Sequence, residues 1–177
     1  TTDNYDIYKL VDVSKLTDGK YNCIISYRRV LYLAKYDVDT GKTTKGDKIG
    51  YVVALSTEQN YAGGSFLDVE DIIFEEFMAR GAYVHNEASK LMNFYCTVDR
   101  KRGTTRLWLV GNTISRVCPY IEDWDLHQTI STQKQGTIKV VERDSSEDTK
   151  VRIAIEYCKS TGVSSFTIGA HANMLNE

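Results

Sequence analysis

The sequence feature that most constrains the fold is a short apolar run that ends in two acids. In "DVEDIIFEEFMARG" (residues 68–81), the run "IIF" leads directly into Glu75 and Glu76. A continuous apolar run of this length is typical of a strand that is covered on both faces in a parallel sheet. Two adjacent carboxylates at its end indicate either a Mg²⁺ and water site or a strand that has reached the surface. The rest of the sequence has to distinguish these two explanations.

Composition places the chain among soluble globular proteins of one domain. Its 177 residues are 42% hydrophobic and 26% charged, which is enough apolar material for a core. The formal net charge of -2 excludes the overall basic field of a protein that coats DNA, so any contact with nucleic acid has to be local. The four cysteines form no CxxC pair, and no apolar run approaches the roughly 20 residues that span a bilayer. We expect a cytosolic protein without a membrane partner.

Periodicity along the first two thirds of the chain predicts strands and a helix. Runs rich in β-branched and aromatic residues over 22–36 and 49–56 predict a β-hairpin over 22–56 with an exposed, mobile tip. Apolar residues at i, i+3, i+4 and i+7 over 86–98 predict an amphipathic helix. A second apolar strand is expected over 105–112, and it closes on Gly-Asn.

The last third of the chain continues this alternation. Residues 136–142 predict a third core strand, and a capping box at Ser145 with a glycine stop at Gly162 predicts a helix over 145–162. Strands that alternate with helices are typical of an α/β fold, so we expect one domain over 1–177 with a mostly parallel sheet.

Two strands of this predicted sheet end in polar side chains. Glu75 and Glu76 follow the first strand, and Asn112 follows the second. The carboxyl ends of parallel strands form the crevice where α/β sheets bind ligands. An acid pair there is the layout of a Walker B element, in which one acid holds Mg²⁺ and the other orients or deprotonates the water that attacks a γ-phosphate. The alternatives are a surface strand for the acids and a Gly-Asn turn for Asn112.

Other charged groups have simpler explanations. Arg100, in "DRKRG", ends the predicted helix, where a cation suits the helix macrodipole, although an arginine finger for a neighbouring subunit is the functional alternative. The acids of "IEDWD" (121–125) fit a solvated helix face better than a two-metal nuclease site.

Three segments together resemble one family. "DIIFEEF", "NEASKLMNFYCTVDRKRG" and "GNTISRVCPYIEDWDL" are similar to the podovirus-type phage DNA encapsidation ATPases, motors that pump a genome into a preformed capsid. The resemblance covers roughly residues 22 to 145. It implies a P-loop NTPase fold of the additional-strand (ASCE/RecA-like) type, incomplete on its N-terminal side, with Walker B and sensor elements on core strands and helices over 68–142.

The resemblance also assigns roles to four positions. Glu75 matches the metal-associated acid, Glu76 the catalytic glutamate, Arg100 an arginine that acts in trans and Asn112 the polar residue ending the sensor strand. The family more usually has Asp at the first acid, so Glu75 would hold Mg²⁺ through water. "CPY" (118–120) replaces the usual "NPY" outside this set.

A phosphate-binding loop is the part of the family pattern that the sequence lacks. No G-x-x-x-x-G-K-[ST] is present, and the GKT of "DTGKTTKGDK" lacks the first glycine. Backbone amides and a lysine normally cradle the β and γ phosphates, so ATP and Mg²⁺ are not expected to bind tightly here. The chain, which begins without Met, is therefore expected to be an internal fragment of the ATPase domain and inactive or weakly active alone.

By resemblance, the full-length parent couples ATP hydrolysis to translocation of double-stranded DNA into a prohead. It would work in the bacterial host cytoplasm as a ring of five subunits on the phage portal. Lys42, Lys45 and Lys48, at the predicted hairpin tip, are candidates for phosphate contacts with the DNA. The alternatives are a non-catalytic NTPase-like interaction module and, with less support, a metal-dependent nuclease.

Overall fold

The computed structural model describes residues 11–79, 81–112, 117–144 and 150–159. Internal packing divides the chain into two units, 1–69 and 70–177. The prediction of one domain over 1–177 stays a prediction. No helix in the described ranges is long and apolar enough to cross a membrane.

A three-stranded antiparallel sheet dominates the first unit. Its strands lie in chain order after a short helix, and a 3-10 helix follows them; the elements are α1 (Val13–Leu16), β1 (Cys23–Tyr27), β2 (Val30–Asp37), β3 (Lys42–Tyr51) and the 3-10 helix (Leu55–Tyr61). Arg28 and Arg29 connect β1 to β2 with φ angles of 51° and 64°. Two consecutive positive φ angles are the geometry of a type I′ turn, whose twist matches that of the flanking strands.

The hairpin prediction over 22–56 is right in pairing direction and wrong in strand number. Residues 22–36 hold most of two strands rather than one, because the Arg28–Arg29 turn lacks the Asn-Gly signal that marks such turns. The polar stretch after residue 41 is itself β3, whose partners on β2 run from Asp37↔Lys42 to Val30↔Tyr51. Backbone pairing does not require apolar side chains, and most of those on β3 are exposed.

A parallel strand pair with a crossover helix begins the second unit. β4 (Asp71–Glu75) pairs with β5 (Arg106–Val110), and α2 (Glu87–Asp99) connects them along the chain. The i, i+3, i+4, i+7 spacing of α2 marks Ala88, Leu91, Met92 and Tyr95; the first two are buried and the last two are half-buried. The strand and helix predictions for this segment are confirmed.

Two short helices and an antiparallel pair complete the second unit. These elements are α3 (Pro119–Asp123), α4 (His127–Ser131), β6 (Thr137–Asp144) and β7 (Lys150–Tyr157). Pro119 stands in the first turn of α3, where its missing N–H leaves no hydrogen bond unmade. The tightest core of this unit includes Tyr120, Ile121 and Cys118, each 1% exposed.

The predicted fold class is wrong. In the described ranges, parallel pairing is confined to β4 and β5, and the other two sheets are antiparallel, so there is no large ASCE/RecA-like P-loop sheet among these residues. The predicted third core strand forms as β6, but it pairs with β7. Apolar periodicity identifies a strand without fixing the direction of its partner, which explains the error.

The helix predicted over 145–162 is wrong where the structure describes it. Residues 150–157 form β7, in which the β-branched residues Val151, Ile153 and Ile155 recur at every second position, the period of a strand. The proposed cap at Ser145 and stop at Gly162 lie outside the described residues.

Candidate functional site

Glu75, Glu76 and Asn112 lie at the same end of the parallel strand pair. The register places Glu75 opposite Val110, so Glu76 and Asn112 follow their strands at the carboxyl ends of both. The side chains of Glu75, Glu76 and Asn112 are exposed. The structure thus brings these three predicted site residues to one end of the sheet.

Glu76 adopts a left-handed backbone conformation immediately after β4. Its φ is 54°, a region that a side chain with a Cβ rarely occupies and that costs on the order of 1 kcal/mol. The chain therefore turns sharply between the two acids, and the carboxylate of Glu76 does not continue the strand. Conformations of this kind persist only where the surrounding structure imposes them.

An aromatic contact holds this turn in place. The ring of Phe77 lies against Gly111, where an added Cβ would come within 3.1 Å of the ring. The same ring makes an edge contact with Tyr120 at a centroid separation of 5.9 Å, and Phe74 lies 5.8 Å from Tyr120. A side chain at position 111 would therefore require the Phe77 ring to move by a few tenths of an ångström, and glycine avoids this shift.

A hydrogen bond between Tyr120 and Glu87 fixes the position of the Tyr120 ring, which both Phe74 and Phe77 contact. The Tyr120 hydroxyl donates to Glu87 Oε1 at 2.7 Å, and the Val84 N–H donates to Oε2 at 2.8 Å. Burial raises the pKa of Tyr120, and its hydrogen bond to Glu87 raises the pKa further, so the phenol stays a neutral donor. Sequence reasoning missed this pair because the partners are 33 residues apart; the available signals were the acid that opens α2 and the tyrosine after Pro119.

One face of the parallel pair is uncovered in this structure. Ile73, Trp108 and Val110 are 66%, 51% and 55% exposed, and we call them the bare face. On the same face, Asp71 accepts from Arg106 Nε and Nη2 at 2.8 and 2.7 Å and from Trp108 Nε1 at 2.8 Å. The expectation that both strands are buried on both faces is therefore wrong.

The loop after α2 is built around a buried carboxylate. Asp99 is 5% exposed and accepts from the N–H groups of Gly103, Thr105 and Thr104 at 2.9, 3.0 and 3.2 Å. Burial alone would raise the pKa of Asp99, but these hydrogen bonds outweigh it and hold the pKa below its usual range. The loop is thus closed by an ionised acid.

Arg100 lies on this loop, away from the acids. It ends α2 in a left-handed conformation, and its N–H donates to Cys96 O at 2.9 Å. This loop leads into the first residue of β5, whereas Asn112 lies just beyond the last residue of the same strand. At about 3.3 Å per residue, β5 spans roughly 13 Å from its first to its last residue. Arg100 therefore stands at the opposite end of the pair from Glu75 and Glu76. The nearby Arg102 caps the helix instead, through a bond to Val98 O at 3.1 Å.

The three lysines lie on β3 and differ in environment. Lys42 opens the strand and is exposed. The Lys45 ammonium lies 4.5 Å from the ring centroid of Tyr32, whereas Lys48 forms an ion pair with Asp68. They are strand residues rather than members of a mobile tip.

The acids of "IEDWD" do not form a metal centre. Asp125 lies 3.9 Å from Arg143 in an exposed ion pair. Within the described ranges, no group of three or more His, Cys, Asp or Glu side chains is placed to hold a metal ion. The nuclease alternative therefore gains no support from these residues.

Comparison with known proteins gives a consistent result. Residues 35–160 match the family model described as podovirus DNA encapsidation protein (Gp16). The chain is 33% identical over 78 residues to the "DNA packaging protein" of Bacillus phage phi29 and, equally, to that of Bacillus phage PZA. The match covers 42% of this chain and 24% of each relative, so the chain spans about a quarter of their length.

A solved structure shares the fold. The N-terminal domain of the DNA packaging ATPase from bacteriophage phi29 matches 88% of this chain and 72% of that domain, with a TM-score of 0.56 and 24% sequence identity. Because the match covers 88% of this chain, it agrees with the corrected fold class of small antiparallel sheets and one parallel pair.

Proposed function

The chain belongs to the podovirus DNA encapsidation protein (Gp16) family, and on that basis we propose that it is part of a motor that moves double-stranded DNA into a prohead. Because it spans only 24% of its relatives' length, we propose that it is a piece of a longer ATPase. The missing phosphate loop would then come from outside these 177 residues, and the piece alone would hydrolyse ATP weakly or not at all.

The observation that carries this proposal is that Glu75, Glu76 and Asn112 lie together at the carboxyl ends of β4 and β5. Carboxylate oxygens are the ligands that Mg²⁺ prefers, so this donor set fits a magnesium-bound nucleotide. When bound, Mg²⁺ would neutralise charge on the phosphates.

Each residue at this edge has a separate role. Glu75 would hold the metal, and Glu76, turned away from the strand by its left-handed backbone, would orient or deprotonate the attacking water. Asn112 hydrogen-bonds the γ-phosphate or that water through its amide. The contact between Phe77 and Gly111 keeps the two strand ends in register for this arrangement.

Arg100 acts on the site of a neighbouring subunit in this proposal. Its position at the far end of the strand pair prevents it from reaching the acids of its own chain. A ring, of five subunits by family resemblance, would bring it to the adjacent site, where a guanidinium stabilises charge on the transferred phosphoryl group. The partners would be DNA and the portal of the prohead, in the host cytoplasm.

The test is a substitution in the full-length parent. We expect Glu76→Gln to retain ATP binding and to lower phosphate release by about 100-fold or more, because the base is lost while the metal-associated acid remains. Glu122→Gln, an exposed acid on α3, is the matched control and should leave the rate unchanged. Full hydrolysis by Glu76→Gln would remove this residue from the mechanism.

A second substitution tests the action of Arg100 in trans. Arg100→Ala should stop hydrolysis in uniform rings, and mixing with Glu76→Gln subunits should restore part of the rate, because each variant supplies what the other lacks. Mixed rings that stay as inactive as the uniform ones would contradict it.

The bare face favours a second candidate function, a non-catalytic interaction module. Exposed apolar patches on soluble proteins often mark binding surfaces. A parent protein that binds no nucleotide, and whose phosphate release is the same with Glu76→Gln, would support the module instead.

A further inference from the structure

The antiparallel sheet concentrates positive charge in a chain that is acidic overall. Residues 20–51 contain seven lysines and arginines and three aspartates, a net charge of +4, although the whole chain carries -2. This segment therefore has a local field of the sign that attracts polyanions.

Two of these three aspartates accept hydrogen bonds from nearby groups. Asp47 accepts from Lys20 Nζ and from the Tyr21 hydroxyl, both at 2.9 Å. Asp37 accepts from the N–H groups of Asp39 and Thr40 at 2.9 and 3.0 Å, which closes the turn before β3. These hydrogen bonds join the two acids to Lys20, Tyr21 and two N–H groups of a turn.

Two cations, one on β3 and one in the turn between β1 and β2, lie over tyrosine rings. The Lys45 ammonium lies 4.5 Å from the centroid of Tyr32 and 5.5 Å from that of Tyr27, and the Arg28 guanidinium lies 5.3 Å from Tyr27. We call these four residues the Lys45 patch. Lys45 and Arg28 are exposed, and Tyr27 is 51% exposed. Ring contacts reduce the freedom of long cationic side chains, so less entropy is lost when they meet a ligand.

The backbone at Arg28 fixes where its side chain leaves the turn. Arg28 and Arg29 both adopt left-handed conformations in a turn type that favours Asn-Gly. Arginine here makes the hairpin less stable than the usual turn residues would, and strained backbone of this kind clusters at ligand sites. The turn therefore keeps an arginine beside Tyr27 at a cost in stability.

We propose that the Lys45 patch binds the phosphodiester backbone of a nucleic acid. Lys45 and Arg28 contact phosphate oxygens, and the tyrosines hold the two cations in place rather than stack on bases, because their ring faces already carry cations. Binding of this kind is independent of sequence. The proposal rests on the proposed function, in which the motor moves DNA. Lys45 is the better candidate than Lys48 because the Lys48 ammonium is already in an ion pair with Asp68.

The experiment measures fluorescence anisotropy of labelled oligonucleotides with the 177-residue chain. A duplex and a single strand of the same length are titrated between 50 and 200 mM salt. We expect the duplex to bind and Lys45→Gln to lower its affinity several-fold. The slope of log K against log salt should also become shallower by about 0.9, the value for one lost phosphate contact. Lys134→Gln, an exposed lysine outside the sheet, is the control of equal charge and should leave binding unchanged.

A second pair of variants tests the role of the rings. Tyr27→Leu should weaken binding without any change of charge, because Lys45 and Arg28 lose the ring that positions them. Tyr36→Leu, a change of an exposed tyrosine on β2 outside the patch, should leave binding unchanged.

Three outcomes would overturn the proposal: no binding to either oligonucleotide, equal weakening by Lys45→Gln and Lys134→Gln, or a strong preference for the single strand with little salt dependence, which indicates base stacking. Hydrolysis by the Glu76→Gln parent bears on the proposed function alone, so failure of the patch and failure of that function are distinguishable.

Discussion

The antiparallel sheet and the parallel pair reach stability in different ways. Strands β1 to β3 are joined by tight turns, and their exposed surface includes contacts between sequence neighbours, such as Arg28 over the ring of Tyr27. The pair of β4 and β5 depends on distant residues, above all Tyr120, and its other face is bare. Surface substitutions should therefore cost the antiparallel sheet little stability, whereas the parallel pair relies on a few buried contacts.

The two regions can be followed separately by spectroscopy. Both tryptophans, Trp108 and Trp124, lie in the second unit, so tryptophan fluorescence reports on the parallel pair and its surroundings. The Trp124 ring contacts Tyr120 at 5.5 Å and is a direct probe of the core.

The largest expected effect comes from removing Tyr120. Tyr120→Ala should lower the free energy of unfolding by about 3–5 kcal/mol, because it opens a cavity in a core position that is 1% exposed. Tyr120→Phe should cost about 1–3 kcal/mol, since Glu87 then loses a buried donor. Urea denaturation followed by tryptophan fluorescence measures both values.

The control for this prediction is Tyr157→Phe. Tyr157 lies on β7 and is 38% exposed, so the change should stay within about 0.5 kcal/mol. If Tyr120→Phe is equally harmless, the hydrogen bond to Glu87 does not stabilise the parallel pair, and the contrast between the two regions weakens.

A smaller effect, with a defined pH dependence, is expected at Asp99. The folded pKa of Asp99 lies below its unfolded value of about 3.9, so its stabilisation is present above about pH 4 and is lost as the pH falls through the folded pKa. Asp99→Asn should therefore destabilise the second unit most at neutral pH, and the difference from wild type should narrow under acid. Urea titrations at several pH values measure it, with exposed Asp123→Asn as the control. A difference that stays constant with pH would show that the charge of Asp99 contributes nothing.

The smallest effect on stability is expected at the bare face. Ile73→Lys should change the free energy of unfolding by no more than about 0.5 kcal/mol, since Ile73 is 66% exposed. It should nevertheless lower the binding of a hydrophobic dye, because it interrupts an apolar patch. Ile49→Lys on β3, where the side chain is 47% exposed, is the matched change in the other sheet and should alter dye binding less. Equal losses from both variants would show that the bare face is not a distinct surface.

Sequence patterns were sufficient where a structure depends on local periodicity. They predicted β4, α2 and β5, and they placed Glu75, Glu76 and Asn112 at strand ends, because a strand or an amphipathic helix is marked by its own apolar spacing. They did not reveal the direction of strand pairing, which explains the wrong parallel sheet. The bond between Tyr120 and Glu87 was equally hidden, since no local pattern links residues 33 positions apart.

Competing local signals explain the remaining error. The capping box at Ser145 predicted a helix, but the alternation of Val151, Ile153 and Ile155 matches the strand that forms. A cap contributes about 1 kcal/mol, whereas pairing along the whole of β6 stabilises every residue of β7. The longer pattern prevailed over the shorter one.

The contact between Gly111 and Phe77 has a mechanical consequence. The ring of Phe77 fills the space where a side chain at position 111 would stand, and Phe77 directly follows Glu76, whose backbone makes the turn. A displacement of Gly111 towards β4 would therefore press on the residue next to that acid. In a machine that does work on a polymer, such a linkage would let strain at one strand end alter the chemistry at the other.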